Sequence, residues 1–283
     1  SINEYITNSP ASIGHFLTAL LELSVNPLPE IFMQAIEIIK TYYKRNNEQT
    51  VEKINEFAIE NLFKSIENEN PRQYLELFFA IMELNMSLFL NLMEAYAKAD
   101  GKLQSVYRDM LKKIIKPMKY DITVIKTALE VALSAKYKTL LMHFYLSELE
   151  KKLTIPPDLV ELLKKQFNIS QDPRYLIPII PNLTVDEFKL YLKDILKLEP
   201  NALRRAIISL LKAKAPMLPI PFLIELHRPE IAGKYKEKAI QAVQICLSQN
   251  VYEFTYKDVS TAVDVIQKNK YHDMIMNTLF EMI

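Results

Sequence analysis

Residues 86–96 read Met-Ser-Leu-Phe-Leu-Asn-Leu-Met-Glu-Ala-Tyr, and this stretch indicates the fold class. At the period of an α-helix it carries one apolar stripe of Met86, Phe89, Leu90 and Met93. A second stripe consists of Leu88, Leu92 and Tyr96. A helix with apolar residues on two faces needs neighbours on both of them. Such helices are expected inside a stack, where each helix packs between others.

The same helical period recurs along the chain, with short connections between the segments. We count about sixteen helices, and a pair with its turns spans about 35–40 residues, slightly short of the usual HEAT repeat. The expected helix starts lie near residues 10, 28, 50, 71, 86, 103, 121, 137, 156, 173, 184, 199, 219, 233, 255 and 271. The sequence therefore predicts an all-α fold, a HEAT-like α-solenoid of stacked antiparallel helix pairs.

Short polar residues and prolines mark several of these starts. Thr184 with Glu187 has the spacing of a capping box, and Asn70 before Pro71 has the pattern of an N-cap followed by proline. We expect two segments, residues 1–171 and 172–283, that continue into one another as one solenoid with a bend near residues 166–181.

Composition disfavours several classes of protein. The 283 residues include only three glycines, whereas nucleotide-binding folds hold phosphate on glycine-rich loops. Cys246 is the only cysteine, so no internal disulfide can form and a reducing compartment is expected. No signal peptide is evident, and no apolar run approaches the roughly 18 residues of a membrane span. Because the sequence begins with Ser1, we expect it to be a piece of a longer protein.

The search for catalytic chemistry predicts no catalytic, metal-binding or cofactor-binding residues. None of the four histidines pairs with another histidine or a cysteine at ligand spacing, and there is no HExxH, CxxC or GxSxG motif. His227 is interpreted as a half-buried, hydrogen-bonded side chain, and Cys246 as a buried, unreactive thiol. The sequence therefore predicts that the chain is not an enzyme.

Six lysines cluster around two successive expected helix–helix junctions: Lys112, Lys113, Lys116, Lys119, Lys136 and Lys138. In a solenoid such junctions line one edge, so one hypothesis is a basic strip that contacts RNA or an acidic partner. The alternative is solvated charge balanced by nearby acids. The net charge of +1 favours this second interpretation.

The last expected helix lacks the polar outer face of a solenoid cap. It carries a second apolar stripe of Met276, Phe280 and Ile283, at spacing i, i+4, i+7. Either the protein continues beyond these residues or a partner covers them. We predict that this stripe binds a partner.

Three blocks near the C-terminus resemble a known family. Residues 174–184 read Arg-Tyr-Leu-Ile-Pro-Ile-Ile-Pro-Asn-Leu-Thr and resemble the opening of the symplekin C-terminal region. Residues 218–227, Leu-Pro-Ile-Pro-Phe-Leu-Ile-Glu-Leu-His, and residues 238–249, Lys-Ala-Ile-Gln-Ala-Val-Gln-Ile-Cys-Leu-Ser-Gln, resemble two later segments of it. The order and spacing of the blocks carry the resemblance, which is best over about residues 172–283.

Symplekin is a scaffold of pre-mRNA 3′-end cleavage and polyadenylation. The resemblance implies a nuclear, non-catalytic protein that binds the endonuclease subunit of the cleavage and polyadenylation specificity factor, that subunit's inactive homologue and other processing subunits. It supplies no catalytic residues and no cofactor. Two alternatives stay open: a helical-repeat protein that binds RNA through the lysines, and a HEAT-type transport adaptor.

Overall fold

A computed structural model describes residues 10–45, 47–118, 121–152, 155–213, 216–248 and 253–269. Over these residues the protein is helical and contains no β-strand, which confirms the predicted all-α class. The chain divides into two compact units, Ser1–Leu153 and Thr154–Ile283. The continuity of residues 1–171 and 172–283 in one solenoid stays a prediction. Among the described residues, no helix is long and apolar enough to cross a lipid bilayer.

The first unit contains eight α-helices within its described residues. They are α1 (Pro10–Leu23), α2 (Pro29–Arg45), α3 (Glu48–Lys64), α4 (Arg72–Met82), α5 (Phe89–Lys98), α6 (Gly101–Ile114), α7 (Ile122–Ala132) and α8 (Lys136–Lys152). Two 3-10 turns, Ser65–Glu67 and Met86–Leu88, precede α4 and α5. Asn47, Asp100 and Asp121 start α3, α6 and α7, because each side chain accepts a hydrogen bond from a first-turn backbone N–H.

The first unit is a two-layer stack. Helix α2 contacts α4, α4 contacts α6 and α6 contacts α8, so these four helices form one layer, called the even layer here. By the same kind of contact α3, α5 and α7 form the odd layer. Successive helices also pack across the layers, as α3 does with α4 and α7 with α8. This combination of contacts is that of a helical-repeat fold.

Helix α5 lies inside this stack, and this position explains why its sequence is apolar on two faces. It contacts α3 and α7 in its own layer and α6 and α8 in the other. Phe89, Leu92 and Met93 are each 0% exposed. The ring of Phe89 lies 4.9 Å from that of Tyr145 on α8, measured between centroids. The predicted burial of both faces is confirmed.

The second unit begins with α9 (Pro157–Ser170), which two 3-10 segments follow, Pro173–Tyr175 and Ile177–Asn182. The later helices are α10 (Val185–Ile195), α11 (Pro200–Ala213), α12 (Pro219–Leu226), α13 (Pro229–Ala232), α14 (Lys236–Ser248) and α15 (Tyr256–Lys268). Helix α11 packs against Ile177–Asn182 and α14, and α12 packs against α14 and α15. The rings of Phe188 and Phe222, 5.8 Å apart, join α10 to α12.

Most predicted helix starts lie within a few residues of the observed ones, and the differences have local causes. The capping box of Thr184 and Glu187 is present at the start of α10. Asn70 does not cap α4, because Pro71 occupies the N-cap position. The start expected near residue 233 is replaced by two helices, since Pro229 holds Arg228 extended and begins the short α13. The start near residue 173 is a 3-10 turn, and the one near 271 lies outside the described residues.

Candidate protein-interaction surfaces

The predicted partner-binding stripe of Met276, Phe280 and Ile283 lies outside the described residues. Helix α15, the last described helix, ends at Lys268. The stripe therefore stays a prediction.

The structure describes five of the six predicted lysines, and Lys119 lies outside the described residues. Lys112 and Lys113 occupy the last turn of α6, and Lys116 follows that helix; we call these three the α6 lysines. All three are exposed. Lys136 and Lys138, the α8 lysines, lie at the start of α8.

Helix α8 runs antiparallel to α5. Lys138, near the start of α8, forms an ion pair with Glu94 in the second half of α5. Tyr145, farther along α8, packs against Phe89 at the beginning of α5. The Lys138 side chain is only 12% exposed and is already paired, so it contributes little free positive charge to the surface.

Tyr96 at the end of α5 lies beside Tyr107 on α6, with ring centroids 6.4 Å apart, across a tight turn. The α6 lysines lie at the C-terminal end of α6, and the α8 lysines lie at the N-terminal end of α8. In a stack whose successive helices alternate in direction, these two ends belong to opposite edges of a layer. The single basic strip stays a prediction.

The position of the α6 lysines has a simple electrostatic explanation. The C-terminal end of a helix carries a partial negative charge, which stabilises cations in the last turn. Lys112 and Lys113 occupy this turn. Solvated charge that stabilises α6 therefore accounts for Lys112 and Lys113 without an RNA ligand.

The described residues contain no group of three or more histidine, cysteine, aspartate or glutamate side chains that could hold a metal ion. Cys246 on α14 is 0% exposed, and burial raises the pKa of its thiol far above the usual value. A thiol in this environment stays protonated and behaves as a small apolar side chain, as the sequence predicted.

His227 is fully buried, whereas the sequence predicted half-burial. It follows the last residue of α12, and Leu223 and Leu226 beside it are also 0% exposed, so this helix end lies entirely in the core. Its Nδ1 donates to the Leu223 carbonyl oxygen at 2.7 Å, and Nε2 has no hydrogen-bond partner in the described structure. Burial lowers the pKa of His227, an effect that the bond to Leu223 opposes. The imidazole is therefore neutral at physiological pH.

Most of the block at residues 174–184 belongs to the core of the second unit. Asp172 accepts a hydrogen bond from the backbone N–H of Arg174, and the Arg174 guanidinium returns to that carboxylate at 2.6 Å. Tyr175 is 1% exposed, and burial raises its pKa to about 12. The apolar residues 176–180 are buried as well. This block therefore shapes the fold of the unit rather than its surface.

Several large apolar side chains of the second unit are exposed instead: Ile169, Val185, Leu190, Leu218 and Tyr256. Leu190 on α10 is 70% exposed, although Phe188 and Leu192 on either side of it are buried. The sequence carried a signal for this, because Leu190 falls outside the apolar stripe of its helix. Isolated exposed leucines are common, so the exposure of Leu190 does not by itself identify a binding site.

Most of the second unit matches a known protein family. Residues 172–283 match the family described as symplekin tight junction protein C terminal. The matched residues begin just before the 3-10 segment Pro173–Tyr175 and include α10 to α15. No solved structure matches the chain significantly. The match confirms the resemblance of the three sequence blocks and supports a scaffold role in pre-mRNA 3′-end processing. Residues 172–283 are therefore similar to a symplekin C-terminal region.

Proposed function

We propose that the chain is a non-catalytic, nuclear scaffold of pre-mRNA 3′-end cleavage and polyadenylation. It binds the endonuclease subunit of the cleavage and polyadenylation specificity factor and that subunit's inactive homologue. The single observation that carries the proposal is the symplekin C-terminal region over residues 172–283. In this proposal the partners supply the metal ions and the hydrolytic chemistry, and the chain holds them in position.

A helical-repeat chain suits this role for a physical reason. Stacked helices keep surface side chains at fixed spacing, so partners bound at different helices are held at a defined separation. Most of the binding energy of an interface comes from a few buried apolar or aromatic anchors. We assign the anchors to Met276, Phe280 and Ile283, because their stripe has no place in a polar solenoid cap.

The test is capture of the purified endonuclease subunit, and separately of its inactive homologue, by the whole chain. Phe280→Asp is expected to weaken capture about 30-fold, the effect of losing one anchor worth about 2 kcal/mol. Asn277→Asp introduces the same charge three residues away and off the stripe, so it should change affinity less than twofold, or about 0.4 kcal/mol. Circular dichroism melting of both variants should match that of the unchanged chain.

The outcomes separate the two parts of the proposal. If the unchanged chain captures neither protein, the scaffold function assigned here is wrong. If Phe280→Asp lowers the melting temperature, the stripe belongs to the core, and the anchor assignment fails while the scaffold function stands. A nuclear-extract capture that retains transport receptors and no 3′-end processing subunits would favour the transport-adaptor alternative.

Direct RNA binding is the second candidate, and the exposure of all three α6 lysines is the observation that favours it. It predicts RNA affinity that falls steeply with salt and is lost when Lys112, Lys113 and Lys116 are changed to glutamate. Changing Lys136 to glutamate at the opposite edge should leave this affinity unaltered. Absence of RNA binding at low salt would exclude this candidate.

A further inference from the structure

We draw no further inference here: the strongest candidate, the patch of exposed apolar side chains Leu133, Tyr137 and Leu140 at the turn from α7 into α8, carries nothing because no contact or charge pattern among the described residues shows what covers it.

Discussion

Replacing Leu92 and Met93 with alanine, one at a time, tests whether α5 is packed between other helices. The two residues are adjacent, so their side chains point about 100° apart around the helix. Both are 0% exposed. Removing three carbon groups from Leu92 loses about 2 kcal/mol of transfer free energy, and the cavity left behind raises the cost to about 3–4 kcal/mol. Met93→Ala should cost about 2–4 kcal/mol for the same reasons.

These losses are large for a unit of this size. At about 0.05–0.1 kcal/mol per residue, the first unit has a free energy of unfolding of about 8–15 kcal/mol. The assay is urea unfolding of the chain followed by circular dichroism, with Leu28→Ala as the matched control. Leu28 is 59% exposed, so its truncation should cost less than about 1 kcal/mol. A cost below about 1 kcal/mol for either buried residue would refute the two-sided packing of α5.

Three further predictions concern single side chains. Because burial lowers the pKa of His227 below its ordinary 6.5, the unfolded chain binds a proton more readily than the folded one, and stability should fall as pH drops below about 6.5. His227→Asn keeps a donor near the Leu223 carbonyl and should flatten this dependence in urea unfolding between about pH 7.5 and 5.5. Tyr107→Phe removes the 3.0 Å hydrogen bond to Ser65 and should cost about 1 kcal/mol in the same assay. Gln171 ends α9 with a left-handed φ of 55°, so Gln171→Gly should raise the melting temperature by relieving about 1 kcal/mol of strain, and a lower melting temperature would contradict this.

The all-α class and most helix starts could be predicted from sequence because their signals are local. The capping box of Thr184 and Glu187 is read from four consecutive residues and is present at the start of α10. The two-faced burial of α5 follows in the same way from the period of eleven residues. The effect of Pro229 is local too, and its restriction of Arg228 could have separated α13 from α12 in advance.

The surfaces could not be predicted in this way, because they depend on contacts between distant residues. Lys138 appears free in the sequence, yet its partner Glu94 is 44 residues away. Whether the α6 and α8 lysines share an edge depends on the relative direction of α5, α6 and α8, and no local signal encodes that direction. A cleft of about 330 Å³ in the first unit is likewise lined by α2, α4 and α6, whose lining residues span about 80 positions, from Phe32 to Ile114.

The burial of residues 175–180 has a consequence for how recognition by this region can diversify. These residues belong to the block by which the region resembles its family. They form a hydrophobic interior beside the Arg174–Asp172 ion pair, whereas Leu190 and the other exposed apolar side chains lie outside the block. Selection on folding and selection on partner choice therefore act on separate sets of positions. A relative could replace its outward-facing side chains, bind a different partner and still keep the buried motif that identifies the region.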